Sequence, residues 1–447
     1  MKHKIALLFL LLANFINAQD KKESYSFSLQ QAIDHALQNN YSAINSGRDI
    51  EAAQKKKWET TASGLPQISA GVDYQNNFQL QKSVVPAEFF GGNPGEFAEV
   101  TFGTKHNMNA SARLSQLLFD GSYIVALQAS KTYLQFYKNA KKKTDTDIRE
   151  MIINSYGSVL LSEESILILE KNKSILEKTL FDTSETYKNG LIEEENVEQL
   201  KITLANVNSN LNYTKRLKDI AYKMLKINLG IEIEDQITLT DKLDNLSTSN
   251  LDLALAGTEF TVQNNIDYTM MTNFVEQRTL ELKLERSKAL PSLAANVNFG
   301  YNAFGNQFEF FTQNQKWFNY SNLGVSLNVP IFSSLGRSAR TQQAKIALEQ
   351  AKTTLTETEQ KLKLQYQGAK SDYEFSVEQY LSSKENLALA ERIETKQQIK
   401  FKEGLSSSFD FTDAQKQLYA AQQNYLQSMV DVINKKAALE KVIGNSK

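Results

Sequence analysis

Few residues in this 447-residue chain are placed to do covalent chemistry. Histidine occurs only at 3, 35 and 106, with no shared local spacing, so no metal-binding pair is present. Glu163-Glu164 and the run from Glu193 to Glu195 fall in helical segments of mixed charge. They read as solvated faces or partners of helix N-termini, not acid/base pairs. Gly91-Gly92-Asn93-Pro94-Gly95 lacks the flanking strand and helix of a phosphate-binding loop. Cysteine is absent, which excludes disulfides, thiolate metal sites and a cysteine lipid anchor. No enzyme, metal or cofactor role has residues to carry it. Two aspartates stand out, Asp410 and Asp413 in FKEGLSSSFDFTDAQKQL (401–418). They follow a Ser cap in what reads as a first helical turn, where acidic groups stabilise a helix by about 0.3 to 1 kcal/mol. The same turn, aromatic, Lys, polar, Gly, Leu, stands 214 positions upstream in YKNGLIEEENVEQLKITL (187–204).

Those turns interrupt very long helical patterns. All five prolines lie at 66, 86, 94, 291 and 330, leaving 95–290 and 331–447 free of them. An interior proline costs a helix about 3 kcal/mol, so such stretches permit long helices. Apolar residues at 348, 351, 355, 362, 366, 369, 373, 377, 380 and 387 step mostly by three and four. Ile148, Ile152, Val159, Ile166, Leu169, Leu176, Leu180 and Tyr187 repeat the rhythm, arguing for helices packed along their length as coiled coils. Helices are expected at 28–62, 122–187, 193–229, 253–288, 335–402 and 408–444; the second would be about 100 Å long. Two short helices stacked end to end beside each long one would bury its stripe.

The chain is a tandem duplication. Gly190-Leu191 answers Gly404-Leu405, Leu229-Gly230 answers Ile443-Gly444, and Leu118-Phe119 answers Ile331-Phe332, at offsets of 213 to 214. Leu65-Pro66 answers Leu290-Pro291, and Gln38-Asn39-Asn40 answers Gln263-Asn264-Asn265, at 225. Residues 1–18 read as a secretory signal peptide, with Lys2 and Lys4 ahead of an apolar run and Ala18 before the cleavage point. The first repeat is expected over 19–242, with strands about 65–78 and 108–120. The second covers 243–447, with strands about 290–304 and 319–332.

In 67–78, Ile68, Ala70, Val72, Tyr74 and Phe78 alternate with polar residues; in 293–303, Leu293, Ala295, Val297, Phe299, Tyr301 and Ala303 do so. The segments 108–115 and 323–331 repeat the pattern, and Arg113 falls on a polar face. A membrane β-barrel wall requires this alternation over about 9 to 11 residues; a half-buried soluble sheet alternates identically. The aromatic density of 299–320, suited to a membrane interface, and the exported context favour the barrel. Four strands cannot close one, since the smallest have about eight, so several chains must share it. Net charge is −1 with 50 Lys+Arg and 51 Asp+Glu, giving no basic excess for nucleic acid. No apolar stretch of about 18 residues follows the leader, which argues against a helical span.

These residues resemble the TolC family, the outer-membrane efflux proteins, over nearly the whole mature chain. The likeness rests on the duplication, the Leu-Pro before strands one and three, and the phrase formed by Gly404, Asp410, Asp413 and Ala414. It implies a mainly α fold, a homotrimer sharing a 12-stranded outer-membrane barrel, and a long periplasmic α-helical tube. It also implies docking to a periplasmic adaptor and an inner-membrane transporter. By the same resemblance, Gly190, Leu191, Gly404 and Leu405 form adaptor-contacting hairpin tips, and Asp410 and Asp413 ring the pore entrance. Six carboxylates from three chains would attract cations. The chain departs from the family pattern at Asn196, where members often carry Asp, and at Phe401 and Ser406, where some members use Tyr and Arg to hold the entrance shut. An exported coiled-coil structural or adhesive protein without a pore is the alternative.

Overall fold

A computed structural model of the chain describes residues 24–444; the expected leader at 1–18 lies outside them. The chain divides into two compact units, one drawn from Met1–Ile50, Tyr137–Thr272 and Thr354–Lys447, the other from Glu51–Phe136 and Asn273–Thr353. Strands among the described residues are β1 (Ser24–Phe27), β2 (Gln67–Asn76), β3 (Lys82–Pro86), β4 (Phe97–Thr101), β5 (His106–Asp120), β6 (Gln236–Leu239), β7 (Ser292–Gly305) and β8 (Trp317–Asn328). The long helices run Gly121–Lys188 and Gly336–Lys402, and the main short ones Leu29–Asn39, Tyr41–Ala62, Glu194–Leu229, Ile266–Ser287 and Ser408–Ile443.

The first unit is helical. Its core joins Ile33, Ile148, Ile152, Tyr156, Leu225, Leu229, Tyr373, Val432 and Leu439, all nearly inaccessible to water. Each buried aliphatic side chain contributes about 1.5 to 3 kcal/mol. The expected helix 28–62 breaks at Asn40 instead of running through. Asn40 Oδ1 accepts the Ser42 N–H at 2.8 Å, starting a helix, while its Nδ2 donates to the Asn228 carbonyl at 2.7 Å, closing another. Asn265 does the same, accepting from the Asp267 N–H at 2.8 Å and donating to the Val442 carbonyl at 2.9 Å. One side chain thus caps two helix ends, and the short helices abut there. The closeness needs glycine: a Cβ on Gly230 would lie 2.0 Å from the Asn39 carbonyl oxygen, and one on Gly444 2.3 Å from that of Asn264.

The expected helix 253–288 is likewise shorter. A four-residue turn at Leu253–Ala256 and a 3₁₀ turn at Val262–Asn264 precede the helix that starts at Ile266. The parallel pair β1–β6 and the antiparallel hairpin β3–β4 have no counterpart in the sequence expectations. At four or five residues each, they are too short for a period-two pattern to stand out.

In the second unit, β2, β5, β7 and β8 form one antiparallel sheet in that order. β8 starts close to the expected strand of about 319–332 but ends short of it, stopping before Pro330, which has no N–H for the ladder. Register aligns Ile68, Leu114, Val297 and Leu323 across one face, and Val72, Ala110 and Tyr301 further along it. A bulge between Leu117 and Phe119 in β5 inserts one residue, so Phe119 pairs with Leu293 and returns to that apolar face. The opposite face is polar: Asn109 donates to Asn302 at 2.6 Å and to the Tyr320 hydroxyl at 3.1 Å, Asn298 to Asn322 at 2.8 Å, and Arg113 to Asn296 at 2.8 Å.

The apolar face is uncovered. Ile68 is 76% exposed, Leu323 71% and Val325 62%. A soluble half-buried sheet would hide these side chains; here they are exposed.

Candidate functional site at the hairpin turns

The helix Gly121–Lys188 turns at Gly190 into Glu194–Leu229, and the helix Gly336–Lys402 turns at Gly404 into Ser408–Ile443. The two turns are built alike. The Gly190 N–H donates to the Tyr187 carbonyl at 2.8 Å and the Leu191 N–H to that of Thr186 at 3.2 Å. The Gly404 N–H donates to Phe401 at 3.1 Å and the Leu405 N–H to Lys400 at 2.8 Å. This is the Schellman closure, which needs a left-handed residue, and φ is +72° at Gly190 and +69° at Gly404. A Cβ at either position meets nothing within 4 Å, so glycine is needed there for its backbone alone. Leu191 and Leu405, next in chain, stand about three-quarters exposed, at 74% and 76%.

Asp410 and Asp413 both lie on the exposed side of the second turn's outgoing helix. Asp410 is already engaged in capping. Its Oδ2 accepts from the Ser407 N–H at 3.2 Å and the Ser407 hydroxyl at 2.8 Å, while the Ser407 Oγ accepts the Asp410 N–H at 3.1 Å. Asp413 accepts from Gln417 Nε2 at 2.7 Å, one turn along. Capping therefore explains Asp410 locally; both carboxylates still face outward.

The two hairpins meet beside these turns. Asn196, one of the departures from the family pattern, accepts the Ser408 N–H at 3.3 Å, and the Ser408 hydroxyl donates to Gln199 at 3.0 Å. Phe401 stacks on the buried Phe411 with centroids 5.4 Å apart. A groove of about 640 Å³ runs between the turns, lined by Thr183, Ile192, Asn196, Phe401, Leu405 and Ser406. Sequence reasoning found the glycines and leucines; it did not find the Asn196–Ser408 tie, which joins residues 212 apart.

Polar satisfaction is incomplete here. Of seven buried side-chain polar atoms without a hydrogen-bond partner among the described residues, five belong to Gln397, Ser406, Thr412, Gln415 and Tyr419. Each such atom costs about 1 to 3 kcal/mol, so packing around the second turn is less secure than its apolar contacts suggest. Glu394 lies among these groups, 9% exposed, and burial pushes its carboxyl pKa up despite Gln415, Lys171 and Lys402 nearby.

Histidine and Arg113 have structural settings. His35 packs against Tyr25 and Phe27, and His106 Nδ1 lies 2.8 Å from the Tyr74 hydroxyl. Among the described residues no group of three His, Asp or Glu side chains converges as a metal site.

Residues 262–445 match the family described as outer membrane efflux protein. No curated protein matches the sequence. The fold is similar to solved CusC, whose description concerns folding and transmembrane channel formation, at 15% identity and TM-score 0.75, covering 93% of this chain and 92% of that one. The outer membrane protein VceC of Vibrio cholerae gives 16% identity and TM-score 0.70 over 93% and 96%. The CmeC outer membrane channel of Campylobacter jejuni gives 16% and 0.71 over 94% and 87%. The likeness to the TolC family and the mainly helical fold with a four-stranded sheet both stand.

Proposed function

We propose that this chain, whose residues 262–445 match the outer membrane efflux protein family, is an outer-membrane channel-tunnel. It carries substrates from the periplasm, or from an inner-membrane pump, to the exterior as the passive duct of a tripartite system. Three copies, each giving the four-stranded sheet β2-β5-β7-β8, share one barrel in lipid, and their helices extend into the periplasm. The observation that carries this reading is the sheet, with an apolar face left bare and outer edges at β2 and β8 that have no neighbour within it. In lipid, unpaired edge groups cost several kcal/mol each, and only closure with other copies removes them. An adhesive coiled coil has no use for such a face.

Gating belongs to the hairpin turns. An adaptor engages the leucine knobs Leu191 and Leu405 beside Gly190 and Gly404, and the incompletely satisfied packing around Gln415 and Tyr419 lets the tips part. Asp410 and Asp413 from three copies form an acidic ring at the entrance. Single-channel recordings in planar bilayers test this. The wild type is expected to prefer cations, and Asp410→Ala with Asp413→Ala to lose most of that preference while still conducting. Unchanged selectivity in the double variant would remove the ring.

A further inference from the structure

Arg113 lies in β5 on the polar face of the sheet, and register fixes its surroundings. Ser69 of β2 stands opposite it on one side and Asn298 of β7 on the other, with Asn298 paired in turn to Asn322 of β8. In the next row along β5, Ser111 stands between Gly71 and Gly300; in the row on the other side, Ser115 stands between Gln67 and Asn296. None of these residues carries a charge. The guanidinium Nη2 donates to Asn296 Oδ1 at 2.8 Å, a neutral partner, and among the described residues Arg113 has no ion pair.

Arg113 is exposed, and a Cβ on Gly71, diagonal to it across the β2 pairing, would meet nothing within 4 Å, so the cation is not crowded on that side. A guanidinium stays protonated at any physiological pH and offers five N–H donors, of which the Asn296 amide takes one. An unpaired charge of this kind is costly on a lipid-facing wall and tolerated on a water-filled one.

The nearest other charge on this face is Asp73, opposite Asn109. It lies four residues from the row of Arg113, about 13 Å at roughly 3.3 Å per residue. Screening at physiological ionic strength acts over about 8 Å, so the two charges do not cancel locally. Between and around them the wall is neutral: Asn109 donates to Asn302 and Asn298 to Asn322.

We propose that Arg113 is a specificity-determining residue of the exit bore. Three copies sharing one barrel bring three guanidinium groups to one level by symmetry, a cationic belt on a neutral wall. The belt draws anions: chloride among small ions, and solutes bearing a carboxylate or phosphate among cargo. The proposal rests on the channel reading, since a single sheet makes no belt. Asp73 gives an acidic level of its own, so a bore without Arg113 carries acidic charge alone on this stretch of wall.

Bilayer recordings under a salt gradient test the belt, in a full-length parent carrying Asp410→Ala and Asp413→Ala so that entrance charge does not mask the bore. Relative to that parent, Arg113→Gln should shift the anion-to-cation permeability ratio toward potassium, with chloride and with glutamate as the anion, and Arg113→Glu should shift it further. Arg113→Lys keeps the charge while losing the planar fork that meets Asn296, and should keep the parent's ratio. The shift should be largest near 0.01 M salt, where screening reaches about 30 Å, and vanish near 1 M, where it reaches about 3 Å. A conducting Arg113→Gln protein with the parent's ratio at low salt would overturn the belt and leave the channel standing. Arg113→Lys behaving as Arg113→Gln would do the same, because hydrogen bonding and not charge would then be the active feature. Protein that conducts in none of these forms, wild type included, would remove the channel and the belt with it.

Discussion

Glu394 holds a carboxyl where water scarcely reaches, with Gln415 and Tyr419 packed against it and Lys171 and Lys402 as the nearby opposite charges. Burial is the larger effect and raises its pKa in the folded chain. The sign of the consequence is fixed. Below the unfolded carboxyl value, about 4.3, the group is neutral in both states and burying it costs no charge. As pH rises through the higher folded value, that stability is lost. The second turn should thus resist limited proteolysis better at mildly acidic pH than at neutral pH. Glu394→Gln should flatten that profile and protect the turn at neutral pH. Parallel profiles for the two proteins would show that Glu394 does not govern this packing. Asn40 and Asn265 were opaque in the sequence because their roles come from partners far along the chain. Gly190 and Gly404 were legible because a left-handed helix end is a local demand.

Among the elements, the sheet separates an apolar face from a polar one. Val325→Lys puts a charge on the bare apolar face, whereas Asn322→Lys puts one among the asparagines of the other face. If the first face meets lipid, Val325→Lys costs about 2 to 4 kcal/mol near the bilayer midplane, and a lumen-facing change costs far less. Heat-modifiable gel migration of outer-membrane fractions should report loss of the folded band for Val325→Lys only. Equal tolerance of both changes would mean that the face is not in lipid. The long helices and the four principal strands were readable because their periodicities run over many residues. Breaks at Asn40 and before Ile266 were not, since they are set by side chains that cap helices 188 and 177 residues distant in sequence, respectively. The β1–β6 pair, four residues on each side, escaped for want of length.

At the scale of the whole molecule, the four-stranded sheet has edges at β2 and β8 with no neighbouring strand among the described residues. The proposed channel closes that sheet in lipid with identical neighbours, and the helix Glu194–Leu229 carries a bare apolar stripe of Tyr213, Leu217, Ile220, Met224 and Ile227. Everything proposed for transport, the shared barrel, the entrance ring and the tip groove, requires that assembly. Native mass spectrometry of the protein released from detergent micelles counts the copies directly. Three chains per particle is the expected result; a particle of one chain, stable and soluble without detergent, would contradict the account.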